Sequence, residues 1–245
     1  MYLQYMKRTT DMKEQIYTIP VNTAFEKSEA DKACGCPFCT MKEILEKNEL
    51  DLILGASMME PDIRIKTNEQ GFCKKHMDTM IGMKNRLGLA LMLESHLEEV
   101  KKKVKVKGLI SAIKGKGAAS DEKLAALESS CYICGKIAFH LEKMFECAVY
   151  LWENDENFRK KTANQPFFCL PHYRKFVELA KRDMPKNVFS DFYDSVNGIE
   201  TAYLDKLYED VAWFCKKFDY RYADEPWGDS KDSIERAAAF LNGRV

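Results

Sequence analysis

The feature that most constrains this chain is a pair of matching cysteine and histidine motifs. Each copy reads C-x-x-C, then a spacer of 32 or 33 residues, then F-C-x-x-H. The motif residues are Cys36, Cys39, Cys73 and His76 in the first copy, and Cys131, Cys134, Cys169 and His172 in the second. A shift of 95 residues superimposes the two C-x-x-C pairs, and one further residue superimposes the C-x-x-H pairs. The sequence therefore predicts an internal duplication.

The same residues predict metal sites. Zn²⁺ is held in closed structural sites by four cysteine and histidine ligands, and Cys₃His is one of its usual sets. We predict that the eight residues bind two zinc ions per chain. An iron–sulfur cluster, a redox dithiol and simple burial of the thiols are the alternatives. A histidine in both copies favours zinc over iron–sulfur, because those clusters usually take four thiolates.

The ligand pairs can combine in two ways. Each C-x-x-C can meet the C-x-x-H of its own copy, or the pairs can cross between the copies about a pseudo-two-fold axis. We favour pairing within each copy, because the spacer suits one helix and a return, and the shorter loop costs less entropy to close. Fragments 12–107 and 121–245 are then expected to bind one zinc ion each.

Charged residues near the motifs are candidates for supporting roles. Three thiolates and a neutral imidazole around Zn²⁺ carry a charge of about −1, which calls for nearby donors or cations. Arg64 and Arg159 occupy equivalent positions in the two copies and are predicted to lie next to the ligands, as are Glu60 and Asp62. In a zinc hydrolase, Glu60 or Asp62 would be the general base.

The other cysteines and histidines have no counterpart in the other copy. Cys34, Cys147 and Cys215 are expected to pack as small apolar residues, although Cys34 could substitute as a ligand. His96 and His140 are expected to be ordinary surface or core residues of helices. Apart from that alternative for Cys34, none of the five is a predicted ligand.

Apolar spacing predicts an all-α fold of two related helical modules, each held by a Cys₃His site. Helical periodicity covers 41–54, 76–106, 137–152 and 196–218. The one extended run is 15–19, which Pro20 would close.

Composition divides the chain into four parts. They are the first repeat at 12–107, a glycine-rich linker at 108–120, the second repeat at 121–218, and a docking tail with a short helix at 219–245. Seven lysines lie between 101 and 116, without arginine or aromatic residues among them. We interpret them as a solvated helix end rather than a nucleic-acid surface.

Charge and hydropathy exclude several classes. The chain has 38 basic and 38 acidic residues, so its formal net charge is zero, and a nucleic-acid or anionic-membrane binder is not expected. No apolar run approaches the roughly 18–20 residues that span a bilayer. The first residues lack the apolar core of a secretory signal, so we expect a cytoplasmic protein.

Several segments also resemble a clostridial, Gram-positive domain family of unknown function. They are MEPDIR at 59–64, TNEQGFC at 67–73, NRLGLALML at 85–93, and KFDYR with PWG between 217 and 228. The resemblance covers roughly 13–242, so the first eleven residues look like an additional leader. It implies a bacterial cytoplasmic protein from anaerobic Gram-positive organisms, and it implies no activity.

Three functions fit these residues. The first is a structural role for zinc in a module that binds a protein or a small molecule. The second is a zinc hydrolase, which requires an open coordination position that four protein ligands do not leave. The third is a redox sensor whose thiols release zinc on oxidation, since a helix N-terminus after Cys36 favours thiolate character. We expect the first, and therefore a protein that is not an enzyme.

Overall fold

The computed structural model describes residues 2–104 and 124–244, with side chains from residue 16 onward. Over these residues the fold is all-α, as predicted, and contains no strand. The helices are α1 (Tyr2–Ala30), α2 (Pro37–Leu54), α3 (Pro61–Gln70), α4 (Lys74–Gly82), α5 (Arg86–Val104), α6 (Tyr132–Asn154), α7 (Glu156–Ala163), α8 (Leu170–Asp183), α9 (Lys186–Lys216) and α10 (Ser233–Asn242). Residues 124–129 are also helical, and the predicted linker at 108–120 lies outside the described residues.

The chain forms two compact units. The first unit is Met1–Glu43 with Leu141–Val245, and the second is Ile44–His140. The boundaries of these units differ from those of the predicted repeats at 12–107 and 121–218. The repeats describe similarity along the sequence, and they stay a prediction. No helix among the described residues is long and apolar enough to cross a membrane.

The first unit has an aromatic core. Phe25, Phe38, Phe158, Phe168 and Phe176 are all fully buried. Phe38 lies at the centre, with ring centroids 5.6 Å from Phe25 and 5.0 Å from Phe176 in edge-to-face arrangements. Such contacts add to the free energy of burial, because the edge of one ring meets the face of another. The aromatic residues therefore fix how the helices of this unit pack.

The second unit has an aliphatic core. Its buried members include Leu50, Ile53, Met80, Met92 and Ile133, which come from α2, α4, α5 and α6. Unbranched methionine side chains such as those of Met80 and Met92 fill irregular space between helices. Burial of aliphatic surface is the main contribution to stability in this unit.

The predicted extended run at 15–19 is wrong, because α1 continues through it and contains Pro20. Val21, Ala24, Phe25 and Ser28 are buried at helical spacing, and this stripe packs into the aromatic core. Ile16 and Ile19 are largely exposed. The short alternation in the sequence suggested a strand, whereas burial at the 3.6-residue period decides the conformation.

The predicted helical stretch at 76–106 forms two helices over its described residues, 76–104. The chain leaves α4 after Gly82, and Lys84 has a φ of 64°. Asn85 then begins α5: its side chain accepts a hydrogen bond from the N–H of Gly88 at 3.1 Å and donates one to the carbonyl of Leu54 at 2.6 Å. The apolar residues keep a helical spacing on both sides of this turn, so the spacing alone did not reveal where one helix ends and the next begins. The asparagine N-cap marks that boundary.

The segment after α9 is organised by one lysine. The Nζ of Lys217 donates hydrogen bonds to the carbonyls of Tyr222, Ala223 and Glu225 at 2.5–2.9 Å. It also lies 5.3 Å from the ring centroid of Trp227. These contacts satisfy all three ammonium hydrogens and hold the turn that leads into α10.

Candidate metal centres

The eight predicted ligands lie in two groups of four. Site A consists of Cys36, Cys39, Cys169 and His172, and site B consists of Cys73, His76, Cys131 and Cys134. Within each group the ligand atoms lie within 4.8 Å of one another. The predicted pairing within each copy is therefore wrong. Each site takes its C-x-x-C from one copy of the motif and its C-x-x-H from the other.

Helix length explains why the crossed arrangement occurs. After the first C-x-x-C, the 18 residues of α2 run about 27 Å, whereas the 10 residues of α3 return only about 15 Å. After the second, the 23 residues of α6 run about 35 Å and the 8 residues of α7 return about 12 Å. In both copies the helix that leads away from the C-x-x-C is longer than the helix that precedes the C-x-x-H. This difference in rigid length favours a partner other than the C-x-x-C of the same copy, although the loop to be closed is longer.

Every ligand pair lies at a helix N-terminus. Cys36 and Cys131 directly precede α2 and α6, and Cys73 and Cys169 directly precede α4 and α8. The second ligand of each pair comes three residues later, which is about one helical turn, so both face the same side. Unpaired N–H groups give a helix N-terminus a partial positive charge that stabilises thiolates. Two such N-termini meet at each site.

The distances match a tetrahedron around zinc. Bonds of about 2.3 Å to sulfur and 2.05 Å to nitrogen give edges of about 3.8 Å between sulfurs and about 3.6 Å between sulfur and nitrogen. In site A, the Sγ atoms of Cys39 and Cys169 are 3.6 Å apart, and the three sulfurs lie 3.2–3.6 Å from Nδ1 of the histidine. In site B, the Sγ atoms of Cys73 and Cys134 are 3.8 Å apart, and the three sulfurs lie 3.2–3.5 Å from Nδ1 of the histidine. These distances in both groups are therefore close to the edges of a tetrahedral zinc site.

The thiols hold their protons unequally. In site A, burial raises the pKa of Cys36 well above its usual value, and hydrogen bonds from the other two thiols hold the pKa of Cys39 well below it. In site B, burial opposes ionisation of Cys131, yet hydrogen bonds from His76 and nearby groups lower its pKa to about 6. Burial and the charge of Cys131 raise the pKa of Cys134 to about 12. A cation would compete with these protons, so its affinity must increase with pH.

Site A is enclosed. All three of its cysteines are at most 2% exposed. Its imidazole lies 5.7 Å from the ring of Phe145 and 6.0 Å from the ring of Phe38. The end of the chain also covers it: the backbone N–H of Arg244 donates to Sγ of Cys39 at 3.4 Å. An N–H donor reduces the negative charge on that sulfur, as outer-shell donors do in metal sites.

Arg244 is a supporting residue that the sequence did not reveal. Its guanidinium hydrogen bonds to Thr40 at 2.8 Å and forms an ion pair with Glu43 at 3.1 Å. Before it, Gly243 has a φ of 76°, and a Cβ there would lie 3.4 Å from Sγ of Cys169. The positive φ favours glycine at this position. Only the Gly-Arg pair could have signalled this contact, and it lies more than 200 residues from Cys39.

Site B is more accessible and has a different support. Cys134 is exposed and Cys73 is partly exposed. The Nε2 of His76 lies 3.0 Å from a carboxylate oxygen of Glu46, which Lys75 also contacts at 2.9 Å. Burial opposes ionisation of Glu46, but Lys75 and the imidazole lower its pKa below the usual value. A carboxylate on the outer nitrogen fixes the imidazole so that Nδ1 faces the thiols.

Glu46 was also missed, because it lies thirty residues before its histidine and belongs to no recognisable motif. The shift of 95 residues places Leu141 at the equivalent position of the second copy. A leucine cannot accept a hydrogen bond, so site A does not have this carboxylate.

The two arginines make matching contacts with the backbone. Arg64 donates to the carbonyl of Met58 at 3.4 Å, and Arg159 donates to the carbonyl of Glu153 at 2.6 Å. Positions 58 and 153 are also related by 95 residues. These bonds tie each arginine to the turn before its own helix. The arginines contact backbone carbonyls there rather than ligand atoms.

The predicted acids lie elsewhere. Glu60 and Asp62 are exposed at the start of α3 and belong to neither ligand group. Asp155, at the position equivalent to Glu60, accepts hydrogen bonds from the N–H groups of Asn157 and Phe158 and caps α7. This position therefore begins a helix, and in the second copy its carboxylate is an N-cap.

The remaining cysteines and histidines lie outside both groups. Cys147 is buried as expected, and Cys34 is partly exposed with its Sγ 3.6 Å from Asp31. Cys215 is exposed, so the expectation that it packs in the core is wrong. It lies on α9, whose apolar stripe does not include that position. His96 contacts the carbonyl of Asn68 at 3.1 Å, as an ordinary helical histidine.

Comparison with known proteins gives a family without a function. The chain belongs to a family of unknown function, DUF6062, which matches residues 12–245. No curated protein and no solved structure matches the chain.

Proposed function

Because that family has no assigned activity, we propose from the sites themselves that the protein binds two structural zinc ions. They hold a helical module whose role is to bind another molecule. The observation that carries this proposal is the tetrahedral fit of three sulfurs and one Nδ1 in both groups. Four protein ligands complete the usual coordination of structural zinc and leave no position for a catalytic water.

The chemistry of the ligands supports zinc over other metals. Thiolates with imidazole in a tetrahedron suit Zn²⁺, whereas Mg²⁺ and Ca²⁺ take oxygen ligands. When bound, zinc would supply cross-links between segments distant in sequence. In site A it would join residues 133 positions apart (Cys36 and Cys169), and in site B residues 58 positions apart (Cys73 and Cys131). Such cross-links contribute directly to folding free energy.

We also propose that the two copies arose by duplication and that the protein is a bacterial cytoplasmic one. Matching helix starts, matching arginine contacts and the shared spacing of 95 residues support the duplication. Nine cysteines that form no disulfide support a reducing compartment, where thiols serve as metal ligands.

Native mass spectrometry of the purified chain, with elemental analysis, tests the proposal. We expect two zinc ions per chain. Removal by a chelator should lower the melting temperature, and restoring zinc should raise it again. A chain that holds iron or only one ion, or whose melting temperature is unchanged after proven metal removal, would contradict the structural role.

A redox response is a second candidate, and the exposure of Cys134 favours it at site B alone. A peroxide would oxidise two zinc-bound thiolates to a disulfide and be reduced to two hydroxide ions, while Zn²⁺ leaves with no change in oxidation state. Zinc release at stoichiometric hydrogen peroxide, from site B and not from site A, tests this function.

A further inference from the structure

A cavity of about 690 Å³ lies in the first unit, next to site A. Its walls come from the segment before α2, the loop before α8, and the helices α9 and α10. Cavities that bind small molecules have volumes of about 300–1,000 Å³. The size of this cavity is therefore that of a small-molecule site.

Small side chains keep the cavity open. Ala163, Ala202 and Ala239 line it from three different helices, and Gly35 lines it just before Cys36. Gly35 has a φ of 60°, and a Cβ there would lie 3.1 Å from the ring of Phe167. A larger residue at any of these positions would reduce the space.

A flat aromatic surface forms part of the wall. The rings of Phe167 and Tyr203 stack with centroids 4.1 Å apart and planes inclined by 16°. Both residues line the cavity, together with Ile199 and Pro166. A planar apolar molecule can lie against such a surface and gain the free energy of burial.

One of the charged residues at the cavity is available to an anion. Four cationic side chains line it, with one acid, Asp232. Arg236 is paired with Asp232 at 2.9 Å, Lys206 with Asp210 at 3.0 Å and Asp229 at 3.4 Å, and Arg244 with Glu43 at 3.1 Å. Lys32 is exposed, and within the described parts of the chain it forms no ion pair. Lys32 is therefore the cation at the cavity that an anionic group can meet without displacing a carboxylate.

We propose that this cavity binds an amphipathic monoanion, a molecule with a flat apolar body and one carboxylate or comparable anionic group. The apolar body would lie against Phe167 and Tyr203, and the anion would face Lys32. This inference rests on the proposed function, because Gly35 and Arg244 line the cavity and also adjoin the ligands of site A. Zinc at site A would thereby hold two of its walls.

A pair of fluorescent probes tests the proposal on the full chain after its two zinc ions have been verified. The probes are 8-anilinonaphthalene-1-sulfonate, which carries the anion, and N-phenyl-1-naphthylamine, which has the same rings without it. We expect one saturable site for the sulfonate probe. Lys32→Gln should weaken binding of the sulfonate probe about 5- to 10-fold, because one charge contact is worth about 1 kcal/mol near a surface. The same substitution should leave binding of the neutral probe unchanged. Lys27→Gln, an exposed lysine on α1, is the matched control.

Filling the cavity gives an independent test. Ala239→Phe should abolish binding of both probes, whereas Ala238→Phe, on the exposed side of the same helix, should leave it unchanged. If the two alanine variants behave alike, or the two lysine variants do, the proposal is overturned. Absence of saturable binding in a chain that holds two zinc ions would also overturn it, while leaving the structural role of zinc intact.

Discussion

Site A and site B have the same ligands at the same kind of helix start, yet their surroundings differ. Site A lies among aromatic rings, and the backbone N–H of Arg244 contacts one of its sulfurs. Site B has an exposed cysteine, and the carboxylate of Glu46 supports its histidine. One ligand set can thus be stabilised by enclosure in one place and by a single acid in another.

The turn at each C-x-x-C shows the same contrast. In site B, the N–H of Tyr132 donates to the carbonyl of Gly71 at 3.0 Å, which joins the two ligand segments by their backbones. The equivalent of Tyr132 in the first copy is Pro37, which has no N–H to donate. The segments of site A therefore lack this hydrogen bond.

The largest effect should come from double substitutions that separate crossed pairing from pairing within a copy. Cys36→Ser with Cys169→Ser damages site A only, so the chain should keep one zinc ion. Cys36→Ser with Cys73→Ser damages both sites, so the chain should keep none. Native mass spectrometry counts the ions, and Cys215→Ser, an exposed cysteine outside both sites, should keep two.

Pairing within each copy gives the opposite counts: none for the first double variant and one for the second. That result would refute the crossed arrangement. Circular dichroism before and after zinc addition identifies a variant that has lost ions only because it does not fold.

A smaller effect is expected from the acid that supports site B. Glu46→Ala should weaken zinc binding at site B by about 10- to 100-fold, the usual cost of losing an outer hydrogen-bond partner, and leave site A unchanged. Competition with a chelator of known affinity measures both constants. Glu69→Ala, at an exposed acid in the same unit, is the control. Equal weakening of both sites, or of neither, would contradict the role assigned to Glu46.

The difference in exposure should appear as a difference in rate. With excess chelator and an alkylating reagent, we expect site B to lose zinc about tenfold faster or more, because Cys134 and Cys73 are accessible and the cysteines of site A are not. Mass mapping of the alkylated cysteines at successive times measures the order. Simultaneous alkylation of Cys36 and Cys134 would show that exposure does not govern release.

The same comparison shows what the sequence could predict. Residue type and spacing were enough to identify the eight residues of the two Cys₃His groups and the all-α fold, because both are local patterns. They were not enough to predict which C-x-x-C meets which C-x-x-H, since that depends on how far α2 and α3 extend. Glu46 and Arg244 reach the sites only through the folded chain, and the cap at Asn85 lay beneath a continuous apolar period.

The last and smallest effect concerns a buried acid, Glu200, that contacts the chain next to a cysteine of site A. Glu200 accepts a hydrogen bond from the N–H of Phe168, the residue before Cys169, at 2.9 Å. Burial raises the pKa of this carboxyl to about 8, although the Phe168 N–H opposes that rise. Its other oxygen, Oε2, has no hydrogen-bond partner within the described residues. The folded chain therefore holds this proton to a higher pH than the unfolded chain does.

The sign of the pH dependence follows. The stability that Glu200 contributes by keeping its proton is complete below an unfolded pKa of about 4.5, and it is lost as the pH rises to about 8. Glu200→Gln cannot ionise, so at pH 8 it should raise the free energy of unfolding by about 1 kcal/mol, after the cost of one unpaired amide group. At pH 5 it should give no gain.

Denaturant unfolding measures the free energy of unfolding of Glu200→Gln and of the unsubstituted chain, each saturated with zinc at each pH. The contribution of the metal is the same in both proteins, so it cancels when the two free energies are subtracted. Glu178→Gln, an exposed acid on α8, is the control and should show no such trend. A gain from Glu200→Gln that is equal at both pH values would mean that Glu200 is ionised in the folded chain throughout. The N–H of Phe168 would then be held by a carboxylate rather than by a neutral acid, and the enclosure of site A would include a negative charge.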